Sequence, residues 1–417
     1  MRIPPSVLLA TPFLFMLLLT GLNFRLITDE SAYHIKVVET FAATWPRIDI
    51  SNYSSASTPL SYLIMTAVGK SFGFEIWKLR LLSVIATFLA TNVFHGICKR
   101  IGLPNPLLSS FTFLFFPYVF FFGFTIYPTA IALFFGLAAL SVYLRDNATS
   151  FDLLKGSALA GLAVLSRQSF LIIPAGMALH ELWEWYRSSF KARWRRLIER
   201  LLILAIPIMV FVPFLVIWGG FTSPINRADE GGTWFLILNP QQLNYILMVL
   251  GFYFVPMLLR QESRVLLSFR RTTLPIWAVL LILFYMFPIT FDENSGSTQY
   301  VGGLIAHGLY VLEHSLGKFA GLSATLGLWA IGAAVLFQGW TIGSADAIRD
   351  KLSAIMIMFV LLMLLSPVVY ERYYVLLIPM ITLVLHRYFR STKLLTLWVV
   401  WQASVAAVVS YWQIAVK

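Results

Sequence analysis

Long apolar runs recur from one end of this chain to the other, each closed by charged or turn-forming residues, and this succession limits the possible fold more than anything else in the sequence. Hydrophobic residues make up 59% of the 417 positions and charged residues 12%, against roughly a quarter charged in soluble domains. The mean hydropathy is +0.79. The chain therefore reads as an all-α polytopic integral membrane protein. No stretch is polar and long enough for a separate soluble domain of ~100 residues, so residues 1–417 form one membrane domain in this reading.

The runs predict about 13 transmembrane helices. They are Val7–Leu26, Leu79–Cys98, Pro106–Phe121, Pro128–Leu144, Lys155–Ser166, Ser169–His180 and Arg200–Trp218, followed by Leu243–Leu259, Thr272–Ile289, Phe319–Gln338, Leu352–Tyr370, Tyr373–His386 and Leu394–Tyr411. The first is long enough to span and lacks a small-x-small cleavage pattern, so it is expected to stay as an uncleaved helix.

The net charge of +12 falls in short clusters between these runs, which orients helices rather than marking a nucleic-acid surface. Lys99-Arg100, Arg187 to Arg200, Arg260 to Arg271, Arg349 to Lys351 and Arg387 to Lys393 are expected to face the cytoplasm. The stretch from Arg145 to Arg187 begins and ends on that side, so it must cross an even number of times. At 1.5 Å rise per residue it has room for two short helices turning near Arg167. The non-cytoplasmic loops are then 27–78, 219–242, 290–318 and the Glu371-Arg372 turn. The first is the longest, about 50 residues, and loops of that length are usually functional. Ser31–Phe41 and Leu60–Phe72 within it are expected to be short interfacial helices.

That loop opens with Asp29-Glu30, in a chain with only 19 acidic residues. Carboxylates at a membrane edge are costly and tend to be functional. Asp29 is the first candidate for a general base, with Glu30 beside it and His34 one helical turn on. Thr58 and Pro59 begin a helix whose N-terminus offers backbone N–H groups to a phosphate. Arg167, followed by Gln168, is a cation suited to phosphate oxygens, with pairing to an acid as the alternative; Arg372 and Tyr373 offer a second, or an interfacial anchor. The lone Cys98 and the scattered histidines give no metal-ligand cluster, although Glu313-His314 are adjacent. There is no Walker, dinucleotide or serine-hydrolase motif, and no cofactor is expected.

In order along the chain, several of these residues resemble the GT-C superfamily of polyprenyl-phosphate-sugar-dependent glycosyltransferases. The nearest likeness is to the dolichyl-phosphate-glucose alpha-1,2-glucosyltransferase family of lipid-linked oligosaccharide assembly. The resemblance is carried by Asp29, Glu30 and His34, by Thr58 and Pro59, and by Arg167, Gln168 and Ser169. It continues through Gly219, Gly220, Arg227 and Asp229, through Pro240, Gln241, Leu243 and Tyr245, and through Arg372, Tyr373, Tyr374 and Pro379. The family's Asn-Arg-His-Tyr segment is missing, and Ser61 follows Leu60 where the family has glycine after its Thr-Pro element. A GT-C enzyme of the protein mannosyltransferase or aminoarabinose transferase kind therefore stays open.

The resemblance implies an inverting transfer of a hexose from a dolichyl or undecaprenyl phosphate donor to a glycan or lipid-linked acceptor. Asp29 would be the base, Glu30 and His34 would orient the acceptor, and Arg167 and Arg372 would stabilise the departing phosphate. It would take place at the outer face of a bacterial or archaeal plasma membrane, or in the endoplasmic reticulum. A secondary transporter and a lipid-binding scaffold are the rivals from other classes.

Overall fold

The computed structural model describes residues 3–145, 148–187, 194–225, 238–256, 274–289, 301–341, 347–366, 369–385 and 391–411. Arg227, Asp229, the Arg260–Arg271 cluster and residues 387–390 lie outside them. Two compact units emerge: Met1–Phe235 with Ala347–Met358 and Ala403–Lys417, and Leu236–Asp346 with Phe359–Gln402.

The first unit runs α1 (Pro5–Thr20), α2 (Ile35–Thr44), α3 (Leu60–Phe72), α4 (Ile76–Arg100), α5 (Pro106–Leu114), α6 (Pro117–Gly123), α7 (Pro128–Tyr143), α8 (Ser150–Ser166), α9 (Ile172–Arg187) and α10 (Trp194–Trp218). Three prolines, Pro106, Pro117 and Pro128, each sit at the first helical position, where a missing N–H costs nothing. Pro117 thereby splits the run read as Pro106–Phe121 into two helices bent by 72°. Thr149 and Asp152 close a reciprocal capping box that starts α8. The run Val7–Leu26 stops being helical at Thr20, because Gly21 (φ 54) and Leu22 (φ 59) both turn left-handed. Behind that turn Phe13, Leu22, Val84, Leu114, Phe120 and Phe124 form a buried apolar cluster.

In the second unit α11 (Gln241–Phe254), α12 (Leu274–Met286), α13 (Leu304–Leu316) and α14 (Lys318–Thr341) precede a short turn and α16 (Leu377–Val384). Two helices, α15 (Ala347–Leu364) and α17 (Thr392–Tyr411), are divided between the units. α11 and α14 meet backbone to backbone: a Cβ at Gly251 would overlap the Leu328 carbonyl, and one at Gly332 the Leu247 carbonyl. Val301–Gly302 pairs in parallel with Val369–Tyr370.

The chain is an integral membrane protein, and the described helices do not confirm the expectation of about 13 spans. Among the described residues four helices are long and apolar enough to cross: Ile76–Arg100, Trp194–Trp218, Lys318–Leu336 and Thr392–Tyr411, with the bent α5–α6 pair as a fifth. The remaining runs form shorter helices; 16 residues, as in α1 and α7, reach only ~24 Å of a ~30 Å hydrocarbon core. The loop read at 290–318 also contains a helix, α13, which buries Ile305, Ala306 and Leu309 on one face.

Candidate active site

Asp29 lies just before a single π-turn, Glu30–His34, that leads into α2. The wider turn changes the one-turn spacing assumed for Glu30 and His34. Asp29 is half-buried, and its Oδ2 accepts a hydrogen bond from the Tyr127 hydroxyl at 3.0 Å. Tyr127 closes the approach to α7, stacked on Phe122 at 4.2 Å and met edge-on by the His34 ring at 4.4 Å. Buried His34 places Nδ1 2.7 Å from the Tyr62 hydroxyl, which is itself 2.7 Å from Ser55 Oγ. Burial pushes the Tyr62 phenol well above its ordinary value, so at neutral pH it keeps one proton to share between those two partners.

Glu30 has no exposed surface and differs sharply from its neighbour. Oε1 accepts from Arg80 Nε at 2.9 Å and Ile126 N at 2.7 Å; Oε2 accepts from Arg80 Nη2 at 2.6 Å and Ile27 N at 3.1 Å. A carboxylate has about four lone-pair sites, and all are taken. These four bonds tie Glu30, expected beside Asp29 in the catalysis, to Arg80 and to two backbone segments.

The turn expected at Arg167 is present: α8 ends at Ser166, a 3-10 turn covers Gln168–Leu171, and α9 follows. Half-buried Arg167 donates through Nη1 to Thr129 Oγ1 in the first turn of α7, with Cζ 6.0 Å from the Tyr127 ring centre. Gln168 Nε2 donates to the carbonyls of Ala56 and Phe221. That joins the first loop to the end of α10 and the segment after it, where Trp218 Nε1 donates to Ile50 O and Ser223 Oγ to Tyr53 O and Ser55 O. Thr58 is fully buried and spends its hydroxyl on Val164 O at 2.6 Å, and Pro59 is the N-cap of α3. The Thr58 side chain thus ties the start of α3 to α8.

No family model matches this chain, and no curated protein does. Among solved structures it is similar to two crystal structures of ArnT from Cupriavidus metallidurans. The one bound to undecaprenyl phosphate has a TM-score of 0.44 and 15% identity, covering 97% of this chain and 78% of that one. The apo form has a TM-score of 0.45 and 14% identity, covering 98% and 77%. Similarity at this level assigns no residue and no substrate.

Arg372 and Tyr373 belong to the second unit, on the 3-10 turn Glu371–Leu376. Both are half-buried, with Arg372 Cζ 5.8 Å from the Tyr373 ring. The anchor of that turn is Glu371, fully buried, which accepts from Tyr253 Oη and from Ile305 N near the start of α13. Arg227 and Asp229 fall outside the described residues. Among the described residues no three His, Cys, Asp or Glu side chains gather as metal ligands.

Sequence reasoning missed Arg80, Tyr127 and Thr129. For Arg80 the signal was present, since an arginine inside an apolar run is costly unless it is paired. Tyr127 and Thr129 sit in a run dominated by Phe, where one more aromatic reads as core.

Proposed function

We propose that this chain is a polyprenyl-phosphate-dependent glycosyltransferase, moving a hexose, glucose being the leading candidate, to an acceptor hydroxyl at the non-cytoplasmic face. The observation that carries the reading is the gathering of a half-buried carboxylate, Asp29, and a guanidinium, Arg167, around one ring, Tyr127. An inverting displacement needs a base on one side of the reacting carbon and positive charge on the other. As the acceptor oxygen bonds to the anomeric carbon, its proton passes to Asp29. The bond from that carbon to the phosphate oxygen breaks with its electron pair, and Arg167 stabilises the departing lipid phosphate. His34 and Gln168 line the same region, and Arg372 and Tyr373 remain candidates for the donor.

The test incubates the purified full chain in lipid with radiolabelled dolichyl- and undecaprenyl-phosphate hexoses and pentoses, following loss of label from the donor. Turnover of at least one donor is expected. A protein that consumes none, with its lipid and a panel of acceptor glycolipids supplied, is not this enzyme.

A further inference from the structure

Arg80 enters from α4, fully buried, and belongs to no motif in the sequence. A guanidinium has five N–H donors, and here all five are used. Nε and Nη2 hold Glu30 in a two-pronged pair at 2.9 and 2.6 Å. Nη1 donates to Leu22 O at 2.9 Å and Phe24 O at 2.8 Å, and Nη2 also reaches Arg25 O at 3.3 Å. The Phe24 ring lies 3.7 Å from its Cζ. Arg80 therefore has no donor left for a substrate, and every bond it makes ends on the backbone around Asp29 or on Glu30.

The backbone groups gripped by this pair are specific. Arg80 binds the carbonyls on the approach to Asp29, including that of Leu22, whose left-handed conformation persists only where the surroundings hold it. Glu30 binds Ile27 N, two residues before Asp29, and Ile126 N, one residue before Tyr127. One ion pair thus fixes the two chain segments that supply the two ends of the Asp29–Tyr127 hydrogen bond.

We propose that Arg80, acting through Glu30, is a positioning residue that holds Asp29 against Tyr127. The proposal rests on Asp29 being the base of the transfer reaction, but the geometry it predicts is measurable without turnover. Removing one member strands a buried charge and endangers the fold, whereas replacing both with apolar residues of similar size is often neutral for stability. The test pairs Arg80→Met with Glu30→Met, and compares Arg80→Lys, which keeps the charge but loses the planar fork.

Each is made in two backgrounds of the full chain. In the first, Asp29→Cys with Cys98→Ser, the rate of reaction with a thiol reagent and its pH midpoint report the surroundings of position 29. In the second, with Asp29 intact, sugar transfer is measured. The paired variant should remain folded while labelling at position 29 changes severalfold, and kcat should fall about a hundredfold with KM changed much less, as a misplacement of about 1 Å in a reacting group typically produces. Arg80→Lys should fall between it and the wild type in both readouts.

Unaltered labelling in a folded paired variant would overturn the proposal. So would loss of folding in both variants, since the pair would then hold the fold as a whole. Failure of the paired variant alone leaves Arg80→Lys to decide, with wild-type labelling counting against the proposal and altered labelling for it. An inactive wild type would sink the transferase reading while the labelling comparison still stands.

Discussion

The turn at residues 27–34 in the first unit and the turn at 369–376 in the second bury a glutamate in the same way and present opposite charges. Glu30 and Glu371 each have no exposed surface and each accept a backbone N–H from far along the chain, Ile126 and Ile305 respectively. The residue before Glu30 is Asp29; the residue after Glu371 is Arg372. In both places the buried glutamate is the anchor, and its neighbour in sequence is half-buried. An acidic dipeptide read from sequence as two candidate catalysts is thus one candidate and its support. Glu30 is paired with a guanidinium, and Glu371 accepts from the Tyr253 phenol.

The comparison breaks most decisively at Asp29. Asp29→Asn keeps size but cannot take the acceptor's proton, and transfer should fall by ~10² to 10⁴ with expression and donor binding nearly unchanged. Label-release assays retaining more than about a tenth of wild-type turnover would remove Asp29 from the reaction altogether.

A pair of isosteric substitutions sharpens the contrast between anchors. Glu30→Gln leaves Arg80 buried without a counter-charge and should destabilise by about 3–5 kcal/mol. Glu371→Gln keeps an oxygen that can accept from Ile305 N, and should cost nearer ~1 kcal/mol. Thermal unfolding of the two variants in the same detergent measures the difference, and equal losses would mean that the two glutamates are not anchored differently.

The smallest of these effects is graded. Arg167→Lys keeps charge without the planar fork and Arg167→Gln loses both, so turnover should run wild type above Lys above Gln, with apparent donor affinity changing less than turnover. Full activity in both variants would leave Arg167 as a structural partner of Thr129, and would pass the phosphate role to Arg372.

What was legible in the sequence was what local pattern controls. Leu60–Phe72 is a helix with the bounds expected, and the helix ending at Ser166 breaks at Arg167, where a turn between two short helices was expected. Hydrophobicity alone could not say which runs are long enough to cross, because Pro117 and the Gly21-Leu22 turn shorten helices without interrupting apolar composition. Within the site, Asp29, His34, Arg167 and Gln168 were visible as polar residues in unusual places. The roles of Glu30 and Thr58 were not, since each depends on a partner far away in sequence: Arg80 and Ile126 for one, Val164 for the other. Residue type tells that a buried polar group must be satisfied, but not by whom.

Seen from a distance, Arg80 and Glu30 cancel. Opposite charges whose atoms approach to 2.6 Å leave only a dipole, whose potential dies away faster with distance than that of a single charge. The deepest charges of the first unit therefore add little to its long-range field, although they lie where the surroundings would screen them least. Nearer the surface, the half-buried Asp29 and Arg167 meet the same side chain, Asp29 through the Tyr127 hydroxyl and Arg167 over its ring.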